Sequence, residues 1–331
     1  MSDLTDHTNE AVKQESARRT RRSFLVGGVA AAGAAGLYEW LRHSPIDNDL
    51  RAPLRKAVNF NAGVSRDLFH DHALAPTYPV QDASELRVNG NFGLERDLKA
   101  ESWRLRLVGV DQPHRFAQYT DDVMGWQYQY DDDDDDSKAD QPAAPTENVK
   151  VSPEQAKAFE EQKKVRGKAP ERGQDEAGES DSTVAPGTPG LLLTLDDVKR
   201  LPHHELVTQF KCIEGWSQIV HWGGVRLADF MQAYPPAKNA QGKLPQYVYM
   251  ETPEGNYYAG YTRDVCEHPQ SLLVTEMHGK PLSLAHGAPL RLHMPIKYGY
   301  KQIKRIALIA YTDTKPDDYW TKLGYDWYAG L

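Results

Sequence analysis

Six consecutive aspartates, Asp131–Asp136, sit in a stretch that a folded core cannot use. From Asp121 to Gly190 the chain holds 18 Asp/Glu against 8 Lys/Arg, in segments rich in Pro, Glu, Lys and Gly. Such a composition buries too little apolar surface to offset the entropy of ordering it. The sequence therefore predicts a disordered acidic insert at about 120–188, with at most a short helix at Pro153–Lys164. A solvated, flexible run is the expected state of the aspartates, ahead of a cation site. The fold must then be assembled from the blocks on either side. A loop of this length inside one domain is unusual. The insert also carries the chain's acidity. The net charge is −8 overall and −10 within the segment, so the remainder holds +2. With no Lys/Arg stripe, nucleic acid is not an expected partner. Hydrophobic residues make up 40% of the 331 positions, with seven Trp and 17 Tyr, enough for a sizeable core.

The flanking blocks read mainly as strands. Trp103–Val110 alternates apolar and charged residues, as a half-buried strand does. After the insert, order resumes at Leu191. Thr194 is placed to cap a short helix over 194–201, and Leu206–Cys212 alternates like a strand running into the cysteine. Val225–Met231 looks helical, closed by Pro235–Pro236. Tyr247–Thr252, Pro289–Pro295 and Ile303–Tyr311 read as strands, with a turn at Lys297–Tyr300. Residues 42 to about 85 are mixed, with a Pro-rich exit at 75–79. Many strands and short helices predict an α+β fold with mixed sheets.

The N-terminal Thr20-Arg21-Arg22-Ser23-Phe24-Leu25, followed by a Gly/Ala-rich apolar run, resembles a twin-arginine export signal. A plain membrane anchor with a positive flank is the simpler alternative, and a Sec signal a weaker one. Ala32-Gly33-Ala34 suits cleavage. Phe24–Leu41 is 18 residues, barely enough to span a bilayer, and includes Glu39, so retention as an anchor stays open. Residues 1–41 are read as signal or anchor and 42–331 as the working domain, delivered to the periplasm or another extracytoplasmic space.

The chemistry centres on Phe210-Lys-Cys212-Ile-Glu214-Gly-Trp-Ser217. The chain has two cysteines, Cys212 and Cys266. Cys212 has five readings: an inert buried thiol, a disulfide with Cys266, a nucleophile served by His203, His204 or His221, a zinc ligand with those histidines, or the single thiolate ligand of a thiol-loving metal in a cofactor. Composition and spacing do not choose among them.

That segment, with Trp222-Gly-Gly-Val-Arg-Leu227, resembles the cofactor cysteine region of the sulfite oxidase superfamily, on the bacterial branch that includes the periplasmic methionine sulfoxide reductase catalytic subunit. Three further blocks agree in order: Tyr247–Thr252, His286-Gly-Ala-Pro-Leu-Arg291 and Met294-Pro-Ile-Lys-Tyr-Gly-Tyr-Lys-Gln-Ile-Lys304. The resemblance covers roughly 50–110 and 191–331. It implies a sulfite-oxidase-type molybdopterin-binding fold and a molybdenum-molybdopterin cofactor (Mo-MPT). Cys212 would be the metal's sole protein ligand and Glu214 a pocket-wall residue beside it. Asn61, Thr252, His286, Arg291, Gln302, Ile303 and Lys304 would hold the pterin and its phosphate. Arg291 and Lys304 suit a phosphate chemically. Lys297, Lys301 and Lys304 have a plainer reading as solubilising charges on a hairpin. Trp216 and Trp222 have one as core filler.

The implied activity is two-electron oxygen-atom transfer, reducing a small-molecule or protein-bound S-oxide, or an N-oxide. Glu-Gly-Trp-Ser after the cysteine departs from the sulfite oxidases proper. Sulfite oxidation, with electrons passed to a cytochrome, is therefore the second reading. A cofactor-free binding or scaffold protein on the same fold is a reading of another class. No haem-attachment motif appears in the sequence, so electrons are expected from a separate haem protein, membrane-bound or soluble. No C-terminal dimerisation domain is expected.

Overall fold

The computed structural model describes residues 33–47, 50–68, 72–131 and 184–331. The arginine-rich signal and the helix expected at 153–164 lie outside the described residues, as does most of the acidic insert. The chain divides into two compact units, Met1–Asn59 and Phe60–Leu331. In the first, residues 33–43 are helical, and β1 (Ile46–Asp47) pairs antiparallel with β2 (Leu50–Arg51). A 17-residue helix, Ala52–Leu68, starts there and runs on into the second unit, where the mixed composition announced no helix. Among the described residues, no helix is long and apolar enough to cross a membrane.

The second unit is built on two sheets. One has six strands in the order β4 (Tyr119–Thr120), β5 (Gly190–Leu193), β3 (Leu105–Val108), β13 (Leu308–Thr312), β8 (Tyr247–Glu251) and β9 (Tyr258–Thr262). Only β13 and β3 are parallel, so the sheet is mixed. The other is antiparallel, in the order β11 (Lys280–Pro281), β10 (Leu272–Met277), β7 (Ser217–Arg226) and β6 (His203–Lys211), with β12 (Arg291–His293) also on β10. The main core lies around the first sheet, through Leu105, Leu107, Leu191, Val248, Met250, Leu308 and Ile309. A smaller cluster around Phe210, Val220, Trp222 and Val274 backs the second.

Several expectations need correction. β3 is covered on both faces rather than half-buried. Arg106 is 6% exposed, donates to the Trp126 carbonyl at 2.6 Å and lies over the Tyr128 ring at 4.6 Å. Those partners fall inside the segment assigned to the insert. Val123 in it is fully buried, and Thr120 pairs with Gly190. Residues 120–131 and 184–188 are therefore part of the folded body. β7 extends through Val225–Arg226, which were expected to be helical. A Cβ at Gly224 would stand 2.1 Å from the Leu273 carbonyl oxygen, so the glycine lets β10 close on β7. The helix begins only at Leu227 and ends at Ala233. Of Ile303–Tyr311 only Leu308 onward is strand. The chain turns before it, with Arg305 at φ 48° donating its N–H to the Gly287 carbonyl at 3.2 Å. Lys297 and Lys301 are 2% and 1% exposed, so they are not solubilising charges. Thr194 caps Leu195–Lys199 as expected, in a reciprocal box with Asp197.

Candidate functional site

β6 and β7 form a long hairpin, and Cys212 opens its loop. The Cys212 N–H donates to the Trp216 carbonyl at 2.9 Å, and the Gly215 N–H to the Cys212 carbonyl at 3.1 Å. Gly215 closes the turn at φ 90°, a left-handed conformation that glycine adopts without a Cβ penalty. These main-chain bonds hold the loop without the Cys212 side chain, which is left for other work. The thiol is half-buried and lines a cavity of about 480 Å³. Burial pushes it above its ordinary pKa. Its main-chain contact with Glu214 pulls the other way, and the Glu214 carboxylate adds to the rise. Asn89 Nδ2 lies 3.8 Å from Cys212 Sγ and donates to Glu214 Oε2 at 3.3 Å. Trp216 Nε1 donates to the same oxygen at 3.0 Å.

The other readings of Cys212 lose their geometry. Both cysteines are free, and Cys266 is fully buried in the core, with its thiol also pushed up by burial. His203, His204 and His221 pair with Glu276, Asp229 and Glu205 and do not line the cavity. Among the described residues, no group of three or more His, Cys, Asp or Glu is placed to hold a metal ion.

Across the cavity lie two cations without a carboxylate. Arg291, on β12, is 1% exposed and stacks over the Trp222 ring at 4.8 Å. It donates from one terminal nitrogen to the His286 carbonyl at 3.1 Å, and its buried Nε has no partner among the described residues. Burial alone lowers its pKa to about 10. Lys304 Nζ reaches the Gly90 carbonyl at 2.9 Å and that of Asn89 at 3.4 Å. Burial, with Arg291 beside it, lowers it to about 7. Arg291, buried, and Lys304, partly exposed, meet only neutral oxygens among the described residues and form a hole for an anion. A half-buried thiol and an anion hole on one cavity fit a group with a soft metal at one end and a phosphate at the other.

This predicts a pH dependence. Lys304 binds an anion as the cation, so sulfate affinity of the cofactor-free protein is expected to fall above pH 7. The fall is close to tenfold per unit until the anion-bound pKa is reached. Arg291 stays charged over this range. Calorimetric titration at pH 6, 7 and 8 reads it out, and flat affinity would remove Lys304 from the anion hole.

Gly287 sets the position of Lys304. It sits at φ 93°, and a Cβ there would stand 2.7 Å from Lys304 Cβ and 2.9 Å from Arg305 N. Gly287→Ala is expected to cost roughly 1–3 kcal/mol in urea unfolding and to weaken sulfate binding in the same protein.

The remaining residues singled out in the sequence divide. His286 and Gln302 line the cavity, yet their polar atoms are engaged. The His286 ring bonds the Leu86 carbonyl through Nε2 at 2.7 Å and Ser283 Oγ through Nδ1 at 2.8 Å. A carbonyl only accepts, so the proton sits on Nε2 and the ring is neutral, consistent with a pKa lowered chiefly by burial. Gln302 accepts from His293 Nδ1 at 2.7 Å and donates to the Met294 and Lys297 carbonyls. Thr252 is fully buried and bonds Asn256 and Tyr257. Ile303 is core, its carbonyl accepting from the Leu292 N–H. Neither lines the cavity, and exposed Asn61 on the Ala52–Leu68 helix does not. Trp216 lines it, whereas Trp222 is fully buried behind Arg291.

Sequence reasoning missed the segment Leu86–Phe92, which supplies Arg87, Asn89, Gly90 and Phe92 to the wall. It also missed the aromatic side formed by Tyr257, Trp320 and Tyr325. Asn89-Gly90-Asn91 before Phe92 was the available signal: a turn of polar residues inside an otherwise extended stretch.

Residues 187–320 match the family described as the oxidoreductase molybdopterin binding domain. The matched segment is thus similar to a molybdopterin-binding oxidoreductase domain, and it holds Cys212, Arg291 and Lys304. Among relatives, the protein-methionine-sulfoxide reductase catalytic subunit MsrP of Xanthomonas axonopodis pv. citri is 34% identical over 143 residues, covering 40% of this chain and 44% of the relative. MsrP of Campylobacter jejuni is 32% identical over 155 residues, covering 43% and 52%. The chain spans about half the length of the curated relatives it matches. Among solved structures, the sulfane dehydrogenase SoxCD from Paracoccus pantotrophus is 17% identical with a TM-score of 0.34, over 38% of this chain and 36% of that one.

Proposed function

We propose that the protein is an exported, molybdopterin-dependent oxidoreductase that removes oxygen from an S-oxide, with methionine sulfoxide in polypeptides as the substrate class. One observation carries this: Cys212 lines the same cavity as Arg291 and Lys304, two cations that meet no acid among the described residues. The names of the relatives supply the direction and the substrate.

In this reading Cys212 would hold molybdenum as its thiolate, and Arg291 with Lys304 would hold the pterin phosphate. When bound, the cofactor supplies two-electron oxygen-atom exchange. Reducing a sulfoxide also consumes two protons and releases water. Glu214, oriented by Asn89 and Trp216, is placed at the cavity wall to pass a proton towards the departing oxygen. Phe210, Trp216 and Tyr257 keep the wall apolar, which suits the methyl thioether product. Electrons come from a separate haem protein, at the membrane or in the periplasm. Residues 1–41 direct export by the twin-arginine route.

The test is metal and pterin content of protein matured in a molybdenum-replete host, followed by turnover of methionine sulfoxide with a reduced dye. Near-stoichiometric molybdenum and sulfoxide-dependent dye oxidation are expected. Sulfite-dependent cytochrome reduction without sulfoxide turnover would reverse the direction. Protein without molybdenum would leave a binding or scaffold role.

A further inference from the structure

The cavity does not end at Cys212. Ile213, Tyr300 and Tyr325 wall it on one side, and the same three residues wall a second cavity of about 320 Å³. The two cavities are therefore neighbours on either side of these shared side chains. Ile213 follows the cysteine directly and is 45% exposed at the hairpin tip, where a turn asks for polar residues. Tyr298 and the segment Ala329–Leu331 line the second cavity alone.

That cavity has a built aromatic wall. The Tyr298 and Tyr300 rings lie nearly parallel, with centroids 6.4 Å apart and planes 8° apart. Tyr325 meets Tyr300 edge-on at 5.6 Å. The Tyr300 hydroxyl is tied to the Asp326 carbonyl at 2.8 Å, which fixes its ring. The floor is held by main-chain bonds, Tyr298 N–H to Ala329 O and Leu331 N–H to Ile296 O, both 3.2 Å. Asp326 is the one charged side chain among the lining residues. Its carboxylate accepts from the Tyr328 N–H at 3.0 Å and the Ala329 N–H at 3.1 Å, so the main chain already uses it. The cleft thus offers ring faces and an isobutyl-sized apolar wall rather than charge.

A free methionine sulfoxide would leave this cleft unused. We propose that it is a subsite for an apolar or aromatic side chain next to the oxidised methionine in a polypeptide, with Tyr298 setting that preference from outside the S-oxide cavity. The proposal rests on the S-oxide reading above. Ring faces favour aromatic and aliphatic groups by offset and edge contacts, and a backbone seated over Ile213 reaches both cavities at once. Tyr298 touches neither Cys212 nor the anion hole and is a specificity residue.

The test uses the molybdenum-loaded protein and two peptides that carry one methionine sulfoxide. Its neighbours are Phe and Leu in one and Gly in the other. N-acetylmethionine sulfoxide is the small substrate. A kcat/KM advantage of roughly tenfold for the Phe/Leu peptide is expected, expressed in KM. Tyr298→Ala should remove most of it, Tyr298→Phe should keep it, and turnover of the small substrate should stay within twofold. Equal kcat/KM for the two peptides in the wild type overturns the proposal. So does a preference that survives Tyr298→Ala, or an equal loss on the small substrate. Calorimetric binding of the same peptides with methionine sulfone in place of sulfoxide separates the two readings. Flank-selective, Tyr298-dependent sulfone-peptide binding without any sulfoxide turnover keeps the subsite and removes the S-oxide reductase reading. Absence of both selective binding and turnover removes both.

Discussion

Cys212→Ala is expected to abolish sulfoxide turnover, by roughly a thousandfold or more, and to leave the fold nearly intact. The reasoning has two independent halves. Removing groups that merely orient a metal ligand costs about 10–100-fold, so removing the ligand itself must cost more. For stability, the thiol has little to lose. It is half-buried at the margin of the second apolar cluster, with Asn89 Nδ2 at 3.8 Å and main-chain contacts from Ile213 and Glu214. The loop is carried by the Cys212 N–H, the Trp216 carbonyl and Gly215, none of which changes. The expected stability change is within about 1 kcal/mol. Cys266→Ala is the matched control. Cys266 is fully buried as the last residue of the Arg263–Cys266 helix, so its loss is expected to cost about 1 kcal/mol or more and to leave activity alone. Molybdenum content, turnover and melting temperature of the three proteins decide it. Turnover within tenfold of wild type in Cys212→Ala would show that the thiol is not the metal's anchor.

The site was legible where chemistry is written in single residues, and illegible where it is written in backbone. Cys212, Glu214, Arg291 and Lys304 were singled out by the blocks that carry the resemblance, since each residue alone has bland uses, and the structure brings them to one cavity. His286 and Gln302 come to the same wall, but a sequence does not show that their polar atoms are already taken. Asn89 and Gly90 lie more than 100 residues before Cys212, and no local period links them to it. They reach the site through long-range closure, Lys304 on the Gly90 carbonyl and His286 on that of Leu86. Strand reading failed at places with a common cause. Arg106 alternates with leucines like a surface charge, yet it is buried because Trp126 and Tyr128 fold back over it. Those two aromatics were hidden by the acidic run that follows them. Val225–Arg226 read as the start of a helix and instead continue β7, where Gly224 lets β10 come close. Both are tertiary effects that override local pattern.

Lys301→Met is expected to destabilise the protein by about 3–5 kcal/mol, the usual result of breaking a buried ion pair from one side. Lys301 and Asp318 are each 1% exposed, and Nζ stands 2.6 Å from Asp318 Oδ2. Lys301 also donates to the Gly260 carbonyl at 2.6 Å and lies 4.8 Å from the centre of the Trp327 ring. With methionine in its place, Asp318 would keep a buried charge and lose its cation. Asp318 does more than balance charge. Its other oxygen accepts from the Trp320 and Thr321 N–H groups at 3.2 and 3.3 Å, capping the helix Tyr319–Lys322. That helix carries Trp320 to the cavity wall, where its Nε1 donates to the Tyr257 hydroxyl at 3.0 Å. The pair therefore links stability to the shape of the site. Asp318→Asn keeps the cap and should cost less than Asp318→Ala, which loses the cap and strands the lysine. Lys301→Met with Asp318→Asn should cost less than the two changes added, because neither charge is then left alone. Urea unfolding of the singles and the double gives the coupling energy. A coupling below about 1 kcal/mol would mean that the pair is wetter than its geometry indicates, and that the helix holding Trp320 is fixed by its aromatic neighbours Tyr319 and Tyr325 instead.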